Sequence, residues 1–227
     1  MAIKNMVRVP PVPEEDLEGL AGWLESMALE GLYFKGIFHS RHFFTSYLFK
    51  EGPPARVRYR IDPTPGTLYN EPPAGLVDLY EEAGWTYMGS TGRYRHFFMT
   101  KDADLPEPFD QPETLGQAIE PQIKARKQGL LLAFGLLLLD GLLMFHILRS
   151  ALVLHRPVYF QIMLILLLVL ALTLSVRHLR ILAKQKREFQ QGRAFTPNTP
   201  TQRPLRFWLV ILFAILCTIV DLWQLLR

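Results

Sequence analysis

Two carboxylates stand inside long apolar runs of this chain, Asp140 within residues 129–148 and Asp221 within residues 207–226. A carboxylate among leucines is costly, and it defaults to a functional expectation. Counted from the basic flank of each run, Asp140 is the twelfth residue and Asp221 the fifteenth. At helical rise their depths then agree to within about 5 Å. Gln161 enters from the outer end of a third run, residues 158–176, and His146 follows Asp140 by one and a half turns. Asp140, His146, Gln161 and Asp221 therefore form a candidate polar cluster. Its chemistry is a proton or cation site. The plainer reading is that the groups reach Arg149 or Arg156, or stay protonated and lock helix packing.

The second candidate is a motif. RHFF occurs at 41–44 and again at 95–98, which puts His42 and His96 in matching contexts. A shared metal site needs both rings on one face and a further ligand. His39 is near, yet neither H-E-x-x-H nor its inverse is present. Both histidines are therefore expected as half-exposed strand residues. Cys217 is the single cysteine, so neither an internal disulfide nor a cysteine-based metal site is available. P-loop, G-x-G-x-x-G and G-x-S-x-G patterns are absent from the sequence. Asp62 reads as a strand-end or turn carboxylate. Trp23, Trp85, Phe44 and Phe98 read as core. No catalytic residue, cofactor or metal is expected, and the chain is not expected to be an enzyme.

The elements around these residues follow from hydropathy and charge. Runs 129–148, 158–176 and 207–226 are long and apolar enough in sequence to predict three transmembrane helices. Residues 1–120 carry 11 Lys/Arg against 18 Asp/Glu, and residues 121–227 carry 14 against 3. The basic residues flank the apolar runs, a topology signal rather than a nucleic-acid one. Nucleic acid is excluded as a partner by the acidic first half. The N-terminus lacks the apolar core of a signal peptide. The expectation is a multi-pass protein of a bacterial cytoplasmic membrane, with the N-terminus and loop 177–206 cytoplasmic and the C-terminus outside. In that loop Arg177, Arg180, Lys184, Lys186 and Arg187 read as a topology anchor. As lipid contacts they would contribute roughly 1 kcal/mol per basic residue.

Residues 1–104 read as a cytoplasmic α+β domain. Leu17, Leu20, Leu24, Met27 and Ala28 fall on one face of a helix over 14–30 that ends at Gly31. Aromatic strands follow, then a second helix over 74–85 with Gly84 as its stop, then a second hairpin. Gly36 and Gly89 each lie five residues past the helix stop, and RHFF comes ten or eleven residues past it. Each half is then a helix plus a hairpin, with RHFF opening the second strand. Two such units predict a ferredoxin-like sheet with two helices on one face. "KNMVRV" is available as an added edge strand. Residues 105–127 read as an acidic, proline-bearing linker and a basic membrane-entry segment, and residues 128–227 as the membrane region.

"WLESMALEGL", "YRID", "AGW" and "HFF", over roughly residues 5–105, resemble the bacterial family called domain of unknown function 2812. The resemblance implies a cytoplasmic domain fused to a few transmembrane helices, often encoded near PadR-type regulators. It assigns no activity and no site residues. The proline-rich start and the long basic loop depart from the family pattern. The functional expectation is a membrane-anchored regulatory or sensing protein whose cytoplasmic domain binds a protein partner or small ligand. The alternative is an accessory subunit of a transport or envelope complex that uses Asp140 and Asp221. Expected partners are membrane lipids and a protein, with homo-oligomers left open.

Overall fold

A computed structural model describes residues 5–39, 45–67, 69–106, 112–149 and 155–198. The chain divides into two compact units: Pro112–Arg193, and the remainder, which includes the segment that returns at Ala194.

The α/β unit is built from one pattern used twice, strand–helix–strand–strand. The first set is β1 (Asn5–Arg8), α1 (Leu17–Leu29), β2 (Leu32–His39) and β3 (Thr45–Glu51); the second is β4 (Arg58–Asp62), α2 (Leu76–Glu82), β5 (Thr86–Ser90) and β6 (His96–Thr100). Each set closes its own antiparallel sheet, in the order β1-β3-β2 and β4-β6-β5. One continuous ferredoxin-like sheet is therefore the wrong architecture. The sequence reading began each repeat at its helix and left KNMVRV and the strand before the second helix outside the repeats, whereas β1 and β4 each lead one set. Each leading strand pairs within its own set, so two sheets of three strands result.

The glycines explain why the two hairpins match. Gly31 and Gly84 follow the helices at φ 81° and 85°, where a side chain would be strained. The first strand of each hairpin then shifts register at the second glycine, between Phe34 and Gly36 and between Tyr87 and Gly89. Gly36 lies opposite Leu48 and Gly89 opposite Phe97. The structural counterpart of the second RHFF is thus Ser46-Tyr47-Leu48-Phe49. The first RHFF precedes β3 and lies outside the described residues, so aligning the repeats on that motif misplaces the first hairpin.

Aromatic packing joins the layers. Phe34 of β2 meets Phe97 of β6 at 4.8 Å between centroids and Tyr47 at 5.5 Å. Trp23 of α1 stands edge-on to Tyr47 and Phe49, each at 5.5 Å. Successive strand residues face opposite ways, so Phe98 points to the other side of β6. There it stacks on Tyr80 of α2 at 3.7 Å, beside Leu76 and Trp85. The strands β4 and β6 of the second sheet are buried on both faces. The sheet's free edge at β4 is covered by α1, where the Tyr59 N–H donates to Glu25 Oε1 at 3.0 Å. Asp16 caps α1 by accepting from the Gly19 N–H.

The second unit is a pair of helices, α3 (Pro112–Arg149) and α4 (His155–Gln190). They run antiparallel at their polar ends: Gly116 lies against Gln190, and Glu120 pairs with Lys186. Leu115, Ile119 and Ile123 of α3 and Leu182 and Phe189 of α4 are buried there. The helix α3 begins at Pro112, within the stretch read as linker. A Schellman turn ends α4, with the Gly192 N–H donating to Phe189 O and Arg193 N–H to Glu188 O. Glycine stops this helix before the prolines do.

Among the described residues no helix is long and apolar enough to cross a membrane. This overturns the expected three-helix transmembrane region and the multi-pass placement in a cytoplasmic membrane. Charge placement is the physical reason. Between Lys127 and Asp140 the helix α3 is uncharged for 12 residues, short of the ~20 that a span requires. The described apolar side chains of α4, residues 165–176, give way to Arg177 and the basic turns after it. The third apolar run lies outside the described residues.

Candidate functional site

The helix α1 is buried on more than the one face its apolar spacing predicts. Every residue from Leu17 to Leu24 is buried, Glu18 and Gly22 included. Leu17, Leu20 and Leu24 enter the core, which leaves the opposite face to be covered by something else. The cover is the extended segment 194–198. The Thr196 N–H donates to Glu18 Oε1 at 2.8 Å, and the Asn198 N–H donates to the Glu18 carbonyl at 3.2 Å. Between them Pro197 has no N–H to satisfy. One turn on, a Cβ built at Gly22 would stand 2.0 Å from Asn198 O. Only glycine lets the segment lie this close. Phe195 is buried, and the Arg60 guanidinium sits 4.6 Å from its ring centroid.

From Arg60 a polar chain runs through the second sheet. Arg60 and Asp62 lie on one face of β4 and both meet the Tyr80 hydroxyl, which donates to Asp62 Oδ2 at 2.9 Å. Burial, reinforced by the Asp62 charge, pushes the Tyr80 phenol well above its ordinary pKa. The Thr64 N–H donates to Asp62 Oδ1 at 2.8 Å. Across the ladder His96 lies opposite Asp62, with Nε2 3.0 Å from Thr64 O and Nδ1 2.5 Å from Ser90 Oγ. Ser90 Oγ is in turn 2.6 Å from the Tyr87 hydroxyl. Thr64 O only accepts, which assigns the proton to His96 Nε2 and makes Nδ1 an acceptor for Ser90. Burial lowers the His96 pKa below its usual value, which favours this neutral ring. The Tyr59 phenol, whose oxygen accepts from the Phe34 N–H, is pushed up to about 12 by burial.

The predicted site residues fall elsewhere. Asp140 is buried in α3, and its Oδ2 has no hydrogen-bond partner among the described residues. His146 is exposed, six positions along the same helix. The Gln161 side chain and Asp221 lie outside the described residues, as do His42, Phe44 and Cys217. Arg180, Lys184 and Arg187 are exposed on α4 and Arg177 is half-buried. Lys184 pairs with Glu188 at 3.7 Å, and Lys186 with Glu120. Arg180, Lys184, Arg187 and Glu188 line a shallow cavity of about 350 Å³. His96 is fully buried rather than half-exposed. Among the described residues no group of three His, Cys, Asp or Glu could hold a metal. Glu18, Gly22, Arg60 and Phe195 were not predicted as a group. A glutamate and a glycine one turn apart within the buried first half of α1 were the available signal.

Residues 16–127 match the model of the family described as "Protein of unknown function (DUF2812)". The chain thus carries a domain of the family that its motifs resemble. No curated protein and no solved structure matches it.

Proposed function

We propose that the α/β unit is a regulatory binding module for a protein partner. The observation that supports this most directly is that the unit already holds an extended peptide segment. Glu18 receives two backbone N–H groups from it, and Arg60 stacks on its aromatic residue. Backbone hydrogen bonds with one aromatic anchor are how binding domains capture extended segments. The polar chain beside this groove favours binding over catalysis. Both His96 nitrogens and both Asp62 oxygens are engaged inside the protein, whereas a general base must face a substrate.

Native cross-linking with mass spectrometry on the full chain, followed by calorimetry with the purified partner, tests this reading. The expected partner protects amides of α1 and β4 from hydrogen exchange. A partner that protects only other elements, or none that binds, overturns it.

A further inference from the structure

We infer that residues 194–198 are a stand-in for the partner's own segment, so that the free chain is self-blocked. This rests on the reading of the α/β unit as a binding module and names what it takes: an extended peptide with an aromatic residue followed by a small polar one. Four observations place the recognition chemistry in α1 and β4. Phe195 is 7% exposed and lies on the Arg60 guanidinium. Glu18, 3% exposed, accepts from two backbone N–H groups of the segment. Thr196 adds its hydroxyl to the same Glu18 oxygen at 3.5 Å. Gly22 admits the Asn198 backbone to a distance that any side chain would forbid.

The groove thus reads two features of its occupant, an aromatic ring and backbone N–H groups. Neither is unique to this chain. A glycine inside a helix gives up about 1 kcal/mol of helix stability relative to alanine, and Gly22 serves the close approach of the segment. Because the segment belongs to the same chain, it competes at an effective concentration on the order of millimolar. A free peptide of the same sequence must compete with that, whereas a partner with a better anchor or a second contact displaces it.

The test uses the full chain and a fluorescent peptide of residues 191–200. The wild-type chain is expected to bind the peptide weakly. Phe195→Ala is expected to bind it at least tenfold more tightly, because the tethered competitor is weakened. Thr196→Pro removes the N–H that Glu18 receives and leaves every apolar core side chain unchanged, so it gives the same gain if Phe195→Ala fails to fold. Adding Gly22→Ala to either variant should abolish binding, as should a peptide whose phenylalanine is alanine. The inference is overturned if hydrogen exchange shows the segment released while peptide affinity stays unchanged. It is also overturned if Phe195→Ala chains pair with wild-type chains through the groove, which would assign it to a second copy. Partner capture that persists while the peptide test fails sinks this inference alone. Peptide binding without any protein partner sinks only the broader reading.

Discussion

His96 accepts at Nδ1 from Ser90 across a 2.5 Å contact, and its other nitrogen donates to the carbonyl of Thr64. A protonated ring would donate at both nitrogens, so Ser90 would have to turn its own proton toward Tyr87. The folded protein resists that charge, and the His96 pKa lies below its unfolded value. Between those two values the unfolded chain binds more protons than the folded one, so stability rises with pH there. The contribution is complete above about 6.5, the model-peptide value, and is lost as pH falls toward the folded value. Denaturant midpoints at pH 7.5 and 5.0 should therefore differ, and His96→Gln should flatten the difference. An equally steep profile in that variant would assign the effect to other groups.

Phe34 and Phe97 carry the contact between the two sheets. Truncating either to alanine should destabilise the α/β unit by about 3–5 kcal/mol. The double variant should fall short of the sum by about 0.5–1.5 kcal/mol, the coupling of an aromatic pair. Phe98 lies on the opposite face of β6 against Tyr80, so Phe34 with Phe98 should add. Urea denaturation of the three singles and two doubles reads this. Equal coupling in both pairs would contradict the layer assignment.

How much of this was legible in the sequence varies with the physics behind each signal. Helix stops at Gly31 and Gly84 were readable because positive φ selects glycine. The duplication was readable from the spacing of Gly36 and Gly89. Its register was not: the identical RHFF letters lie five residues apart in structural terms, since Phe97 corresponds to Leu48 rather than Phe43. Sequence identity of four residues carries no pairing information, whereas the bulge glycines do. The leading strands were readable as strand-like, but β1, with only 4 residues, shows no period that would assign it to a repeat. The groove on α1 was hidden because its second face is closed by residues some 170 positions later, which no local periodicity reports.

Gly89 offers a check on that glycine register. A Cβ there would meet nothing within 4 Å, yet its φ is 118°. Gly89→Ala should therefore lose about 1–3 kcal/mol through backbone strain alone. Gly129→Ala, also without neighbours but inside α3, should be neutral or stabilising, because helical alanine is favoured by about 1 kcal/mol. Thermal unfolding of the two variants separates conformation from crowding, and similar losses in both would show that the Gly89 conformation is unimportant.

The helix α3 presents large apolar side chains outward: Leu131 is 71% exposed, Leu142 66% and Phe145 64%. Scattered surface leucines need no explanation, but a continuous stretch along one helix marks a surface that seeks contact. At the other end of α3, Ile119 and Ile123 are already buried in their own unit. Replacing Leu131, Leu138 and Leu142 together by glutamine should thus leave the pairing of α3 with α4 intact. It should also reduce association of the full chain, read as apparent mass by light scattering. Ile119→Ala should instead destabilise the helical unit by about 2–5 kcal/mol, while Lys186→Ala, at the Glu120 ion pair, should shift it by less than about 1 kcal/mol. Unchanged association in the triple variant would mean that the exposed leucines of α3 do not drive contact between chains.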